Sequence, residues 1–358
     1  MELKIVTEAA TGRANRFPAL WKRNDGSLIL VYQEISGVDR FRAERRCHVM
    51  LSSSDNGKNW CEEKRFFHWE RKSGTVTNAS TGDMNSPGDF CRFSELPDGR
   101  LVYYGQSPSG GLLYVSRDEF RDDEREWKII RPSFEGTSLS VKLYHLRVLP
   151  GGEWAMAGTW LGKASSALDT RIPEGSCDHA GLLFLTSCDE GKNWKIRSTL
   201  YDGKLFPFHL CEPSWSIYHD GSFHMFTRDQ TGYGPGLEFI SNDAGHSWTA
   251  SPMRFMGHHI YADSIRGGKI MASFRACHHI RMPAVGLWLD DGGKWGRFLH
   301  LDDINMNCRY HSDVSQWIEL PDGNYMVAYS LPPDTKLDVG VKVAKFSTCE
   351  FTEPDVKI

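Results

Sequence analysis

Apolar and polar positions alternate along this chain in short runs. Six times a run is broken by a tight glycine turn and then resumes: LWKRNDGSLILVY, FSELPDGRLVYYG, LRVLPGGEWAMAG, SIYHDGSFHMFTR, DSIRGGKIMASFR and WIELPDGNYMVAY. Alternation with a period of two marks a half-buried strand, and two such runs around a glycine turn read as a hairpin. The turn glycines are Gly26, Gly99, Gly152, Gly221, Gly268 and Gly323. Further strand-like runs follow each hairpin, so the chain divides into repeats of about 50 to 70 residues. Six repeats of that length predict an all-β fold, a six-bladed β-propeller with four-stranded antiparallel blades, in one domain covering 1–358.

A second pattern interleaves with the first. The octet S-x-D-x-G-x-x-W runs from Ser53 to Trp60, from Ser187 to Trp194 and from Ser241 to Trp248. A fourth copy, Asp290 to Trp295, lacks the serine, and Ser116-Arg117-Asp118 with Trp127 reads as a decayed fifth. Aspartate accepts backbone N–H bonds, glycine permits positive φ, and tryptophan packs back onto the sheet, so the octet predicts a turn. Its spacing sets it between the third and fourth strands of a blade. The last repeat has no octet, and its VGVKVAKFS is expected to pair with the N-terminal LKIV and close the ring. This layout sends hairpin turns and octets to one side. The starts of first strands and the loops after second strands go to the other, where a functional cluster is expected.

The octet resembles the Asp box of sialidases and related propellers, where it is structural. Three further segments carry the resemblance. Arg16-Phe17-Pro18 opens the first hairpin and is similar to the Arg-Ile-Pro motif that supplies the first arginine of the family's carboxylate-binding triad. Glu212-Pro213-Ser214-Trp215 opens a hairpin that Arg228 closes, similar to the segment carrying the family's glutamate and second arginine. Arg281-Met282-Pro283 matches the place of the third arginine, with Arg275 as its competitor. All lie on the same expected side. Three guanidiniums suit a carboxylate because each offers a planar fork of donors.

The resemblance implies an exo-acting retaining glycosidase with a tyrosine nucleophile activated by a glutamate, an exception among glycosidases. A neutral nucleophile avoids repulsion by the carboxylate on the anomeric carbon of a sialic acid. Glu212 fits the glutamate. Tyr310 fits the tyrosine, although the family's tyrosine falls nearer the first strand, where Val314 stands here. The acid/base aspartate is expected in the loop ISGVDRFRAERR, where the matching position is Arg42, and Asp39 is the nearest fit beside Glu44. The expected substrate is an acidic glycan or sugar acid, and no cofactor is implied.

Histidines crowd the same side: His145, His209, His258, His259, His278, His279 and His311. They suit sugar hydroxyl contacts, with His209, His279 and His311 foremost, or acid/base work. No tight His/Asp spacing points to a metal. Two other readings therefore stay open. One is a propeller hydrolase or lyase on uronic-acid-containing glycans with a histidine acid/base. The other is a glycan-binding propeller without catalysis.

Composition narrows the partners. The formal net charge is −4, which leaves no basic footprint for nucleic acid. No run of about 18 apolar residues occurs, so no membrane helix is expected. The N-terminus lacks the basic and apolar regions of a signal peptide. The nine cysteines are scattered, with no C-x-x-C pair. Together these point to reduced thiols in a cytoplasmic protein, unless a leader has been trimmed. Oligomeric state is open.

Overall fold

The computed structural model describes residues 1–8, 13–37, 43–70, 91–107, 110–134, 140–161, 179–202, 210–229, 236–276, 284–292, 296–303, 313–331 and 340–353. The chain opens with β1 (Glu2–Thr7). Blade 1 is β2 (Arg13–Lys22), β3 (Leu28–Gly37), β4 (Ala43–Ser53) and β5 (Cys61–Glu70). Blade 2 is β6 (Arg92–Glu95), β7 (Leu101–Ser107), β8 (Gly110–Ser116) and β9 (Lys128–Ile130). After the two-residue β10 (Ser133–Phe134), blade 3 is β11 (Ser140–Val148), β12 (Trp154–Leu161), β13 (His179–Ser187) and β14 (Asn193–Asp202). Blade 4 is β15 (Leu210–Ile217), β16 (Phe223–Asp229), β17 (Leu237–Ser241) and β18 (Thr249–Pro252). Blade 5 is β19 (His258–Ser264), β20 (Ile270–Ala276), β21 (Ala284–Leu289) and β22 (Arg297–Asp303). Blade 6 is β23 (Asp313–Glu319), β24 (Tyr325–Leu331) and β25 (Gly340–Phe346), completed by β1.

Each blade is an antiparallel meander, as the hairpin spacing predicts. Ring closure also follows the expectation: β1 pairs antiparallel with β25, from Glu2 opposite Lys345 to Thr7 opposite Val341. Pairing the first strand with the last blade leaves the ring without an open seam, which suppresses sheet edges. Blade 3 departs from four strands. The linker from blade 2 lays Ser133 and Phe134 parallel along β14, and the Ser133 hydroxyl donates to Asn193 Oδ1 at 2.7 Å.

Among the described residues the core is six apolar clusters, each shared by two neighbouring blades. Leu96, Val102 and Leu113 of blade 2 meet Val141, Trp154 and Trp194 of blade 3. Leu20, Leu30 and Val49 of blade 1 meet Ile318, Met326 and Val341 of blade 6. No blade can bury both faces alone, so every blade draws its stability from its neighbours.

The octets form turns at the expected third-to-fourth strand corners. In the first, the Ser53 hydroxyl donates to Asp55 Oδ1 at 2.8 Å and accepts from Gly57 N at 2.9 Å. Asn59 N donates to Asp55 Oδ1 at 2.8 Å, and Trp60 Nε1 donates to the Gly57 carbonyl at 3.0 Å. The second and third repeat these bonds around Asp189 and Asp243. Glycine is required here: Gly245 has φ of +86°, and a Cβ would lie 2.5 Å from the Phe184 ring of blade 3. The decayed copy is corrected in one respect. Asp122, not Asp118, takes the aspartate's place, accepting from the Ser116 hydroxyl at 2.6 Å and from Trp127 Nε1 at 2.9 Å. The longer turn before Trp127 brings a later aspartate into reach.

These bonds stabilise the ionised carboxylates. Donation by Asn59 N and Asn193 N, with side-chain help, lowers Asp55 and Asp189 to about 2. Bonds from Ser247 likewise hold Asp243 well below the usual range. A depressed folded-state pKa contributes stability that is fully present above the unfolded value of 3.8 and is lost as pH falls through the folded value. Acid unfolding followed by circular dichroism will therefore show a steep loss between about pH 4 and pH 2. In Asp189→Asn that loss will be shallower. Asp189→Ala will lower Tm by several degrees while the folded fraction keeps its function, because the turn lies on the side away from the candidate site.

Candidate active site

The first strand of a blade runs beside the central channel, and in five blades it carries the same irregularity. The pairing of first and second strands slips between Arg16 and Ala19, Tyr144 and Arg147, Cys211 and Ser214, His258 and Tyr261, and Val314 and Trp317. Each slip is a β-bulge, an extra residue that bends the strand. In four of them the residue after the slip begins is left-handed: Phe17 (φ 52°), His145 (51°), Glu212 (52°) and His259 (53°). None is glycine, and each such conformation costs about 1–2 kcal/mol. Non-glycine strain of this kind gathers at functional sites.

These bulges assemble one connected polar cluster. Arg16, wholly buried, grips Asp313 with two parallel bonds, Nε to Oδ2 at 2.8 Å and Nη2 to Oδ1 at 2.9 Å. Arg275 Nη1 and His259 Nδ1 each stand 3.6 Å from the same Oδ1. The His259 backbone N–H donates to Glu212 Oε2 at 3.0 Å, and Arg228 Nη1 pairs with Glu212 Oε1 at 2.7 Å. An unbroken chain therefore runs from Arg228 through Glu212, His259 and Asp313 to Arg16 and Arg275. Arg228 and Arg275 occupy equal places in blades 4 and 5, opposite Cys211 and His258 respectively.

Arg92, at the start of β6, adds a fourth guanidinium. It is 7% exposed and donates to the carbonyls of Cys91 and Val314, both at 2.9 Å. Arg92 lines a small cavity with Tyr104, Tyr144, His145, Glu212, His259 and Tyr261. Burial, and then the charges of Arg275, Arg228, Arg92 and Arg16, push His259 well below its ordinary pKa, so it is neutral. Burial, Arg147 and Arg92 do the same to His145. The partners of His145 also fix its tautomer. Arg147 Nη2 can only donate, so Nε2, at 3.1 Å, accepts, and Nδ1–H donates to the Ser214 hydroxyl at 3.0 Å. Arg147 in turn pairs with Asp263 at 2.6 Å, which also accepts from the Tyr261 hydroxyl at 2.9 Å. His145 is thus a neutral joint between cavity and framework, with its basic nitrogen occupied.

The structure brings Arg16, Glu212, Arg228 and Arg275 to one region, and His145, His258 and His259 to the same strand starts. Asp39, Tyr310, Arg281, His209, His278, His279 and His311 lie outside the described residues. Two participants escaped the sequence reading. Asp313 shows no local sign beyond a polar residue ahead of a hydrophobic strand. Arg92 did have a signal, because it opens the second hairpin much as Arg16 opens the first. Among the described residues, no group of three histidines, cysteines or carboxylates converges to hold a metal ion.

Truncating one member of a buried ion pair leaves its partner's charge poorly compensated, at about 3–5 kcal/mol. Asp313→Ala will therefore lower urea-unfolding stability by about that amount, whereas Asp322→Ala on the surface will change it by well under about 1 kcal/mol.

No family model and no curated protein matches the chain. Solved structures do. A protein of unknown function from Dyadobacter fermentans has a TM-score of 0.65 at 15% identity, over 95% of this chain and 98% of that one. A point mutant of an α-L-arabinofuranosidase from Fusarium graminearum, in complex with an iminosugar inhibitor, scores 0.62 at 13% identity, over 96% and 98%. The NanB sialidase from Streptococcus pneumoniae scores 0.59 at 12% identity, over 98% of this chain and 71% of that one. The chain therefore has the six-bladed propeller fold that sialidases and arabinofuranosidases of this type share.

Proposed function

We propose that the channel mouth is the active site of a glycoside hydrolase of sialidase type, acting at the end of a glycan on a sugar that carries a carboxylate. One observation carries this reading. Four guanidiniums, Arg16, Arg92, Arg228 and Arg275, surround one neutral imidazole, while the described residues supply only two carboxylates, Glu212 and Asp313, in their midst. Guanidiniums gathered in this way in a low-dielectric channel suit an anionic ligand. The glycosidase class is supported by fold neighbours described as a sialidase and an arabinofuranosidase.

The roles follow from the contacts. Arg16 commits one edge of its fork to Asp313, so its task is to anchor that carboxylate and, through it, Arg275. Arg228 and Arg275 are then the groups that grip the sugar carboxylate. Glu212, held by Arg228 and the His259 N–H, can draw a proton from a tyrosine hydroxyl, the role expected of Tyr310. Asp39 is the expected acid for the leaving group. Exclusion of water from the channel strengthens each of these interactions.

One observation favours a second reading. His259 is neutral, buried and 3.6 Å from Asp313, an arrangement that suits a base on a uronic-acid glycan. The two readings part on single substitutions. In the first, Tyr310→Phe abolishes turnover and His259→Gln is milder; in the second the order reverses.

A panel of fluorogenic glycosides of N-acetylneuraminic acid, deaminated neuraminic acid, glucuronic acid and arabinofuranose tests the class. Turnover is expected with an acidic member, and Glu212→Gln will lower kcat by about 10²–10⁴-fold. Turnover of the arabinofuranoside alone would overturn the acidic-sugar reading, and binding of a sugar acid without turnover would leave a lectin-like role. Arg228→Ala will weaken binding of the acidic sugar by about 2–5 kcal/mol and leave its neutral methyl ester nearly unaffected. Equal weakening of both would show that no carboxylate is read there.

A further inference from the structure

Arg92 stands apart from the other channel arginines. Arg16 and Arg275 lie against Asp313 and Arg228 against Glu212, but among the described residues no carboxylate lies within ion-pair distance of Arg92. Its two hydrogen bonds go to uncharged backbone carbonyls, of Cys91 in its own blade and Val314 in blade 6. Little of it reaches solvent. Asp313 acts on Arg92 only from beyond ion-pair distance, and a buried cation without a direct counter-charge is costly.

The side chain also lines a cavity. The same cavity is lined by Glu212, whose oxygens already accept from Arg228 and the His259 N–H and which stands beyond ion-pair distance of Arg92. His145 and His259 line it too, and neither offers a negative charge. The rings of Tyr104, Tyr144 and Tyr261 complete it. Both histidines share this cavity with Arg92, whose charge adds to the burial that holds them below their ordinary pKa. The two carbonyl bonds fix the orientation of the guanidinium, so the donor array is set before any ligand arrives.

We propose that Arg92 is the recognition group of an anion subsite on the channel wall, taking one small monoanionic group of carboxylate or halide type. A dianion is disfavoured because the Glu212 carboxylate shares the cavity. The anion is either a free ion or the carboxylate of a sugar acid reaching in from the mouth. The subsite adjoins the Arg228–Glu212 pair, because Glu212 lines the same cavity, and its test does not require turnover.

Thermal unfolding of the full chain is measured at constant ionic strength, with methanesulfonate as the bulky balancing anion. Sodium formate, sodium chloride and sodium glucuronate are titrated in turn. A saturable rise in Tm is expected in the wild type and none in Arg92→Gln. Arg92→Lys keeps the charge but loses the planar fork, so saturation will need several-fold more anion. Equal responses to formate and chloride identify a free ion, and a response to glucuronate alone identifies a carboxylate carried by the sugar. Equal responses in wild type and Arg92→Gln, or no response to any of the three, overturn the proposal. Should Arg92→Gln fail to fold, Arg92→Lys decides: weaker saturation supports the subsite, and unchanged saturation overturns it. Absence of glycoside turnover with the anion response intact would sink the enzyme reading and leave this one standing.

Discussion

The channel depends on a bulge repeated in five of its innermost strands. Inner strands of a closed propeller approach one axis, and the bulge bends each one and redirects a side chain there. Phe17, His145, Glu212 and His259 hold left-handed backbones at the same place in four blades. That strain is carried by the six inter-blade cores, which fix the blades too firmly for a local relaxation to be gained. Apolar packing far from the site thus offsets the strain within it.

Two kinds of polar construction coexist in the molecule. On one side the octet turns are built mainly from bonds within about four residues, and the third also accepts from Arg197 Nη1 and the Ser198 hydroxyl of blade 3. On the other side the bonds join different blades. Arg16 reaches a residue 297 positions away, and Arg92 reaches across to the carbonyl of Val314. The turns therefore stabilise mainly their own blade, with a few bonds to a neighbour, while the channel cluster locks blades across the ring. Charges in that cluster interact through a water-poor medium, where each one alters its neighbours; His259, held neutral first by burial and then by the guanidiniums around it, is the clearest result.

The fold was legible because its signals are local. A hairpin needs a period of two and a turn residue, and all six are visible in the chain. The octets show their aspartate, glycine and tryptophan at fixed spacing. Glu212 and Arg228 could be linked for the same reason: they stand near the two ends of one hairpin, whose pairing sets Cys211 opposite Arg228. The decayed octet shows the limit, since in its longer turn only the folded contacts, Ser116 and Trp127 both donating to Asp122, decide for Asp122 over Asp118.

The sequence by itself determined the number of blades, the order of their strands, the closing role of the N-terminal strand and the side on which Arg16, Glu212, Arg228 and Arg275 gather. Each of these follows from contacts between residues close in sequence or from a repeat that counts itself. Only the tertiary structure decided which charges meet. Asp313 as the anchor of Arg16, the His259 N–H as a support of Glu212, and Arg92 as a buried cation bonded to carbonyls all arise from contacts across the ring. A pairing between blades depends on how six twisted sheets converge on an axis, and no spacing along the chain records that distance.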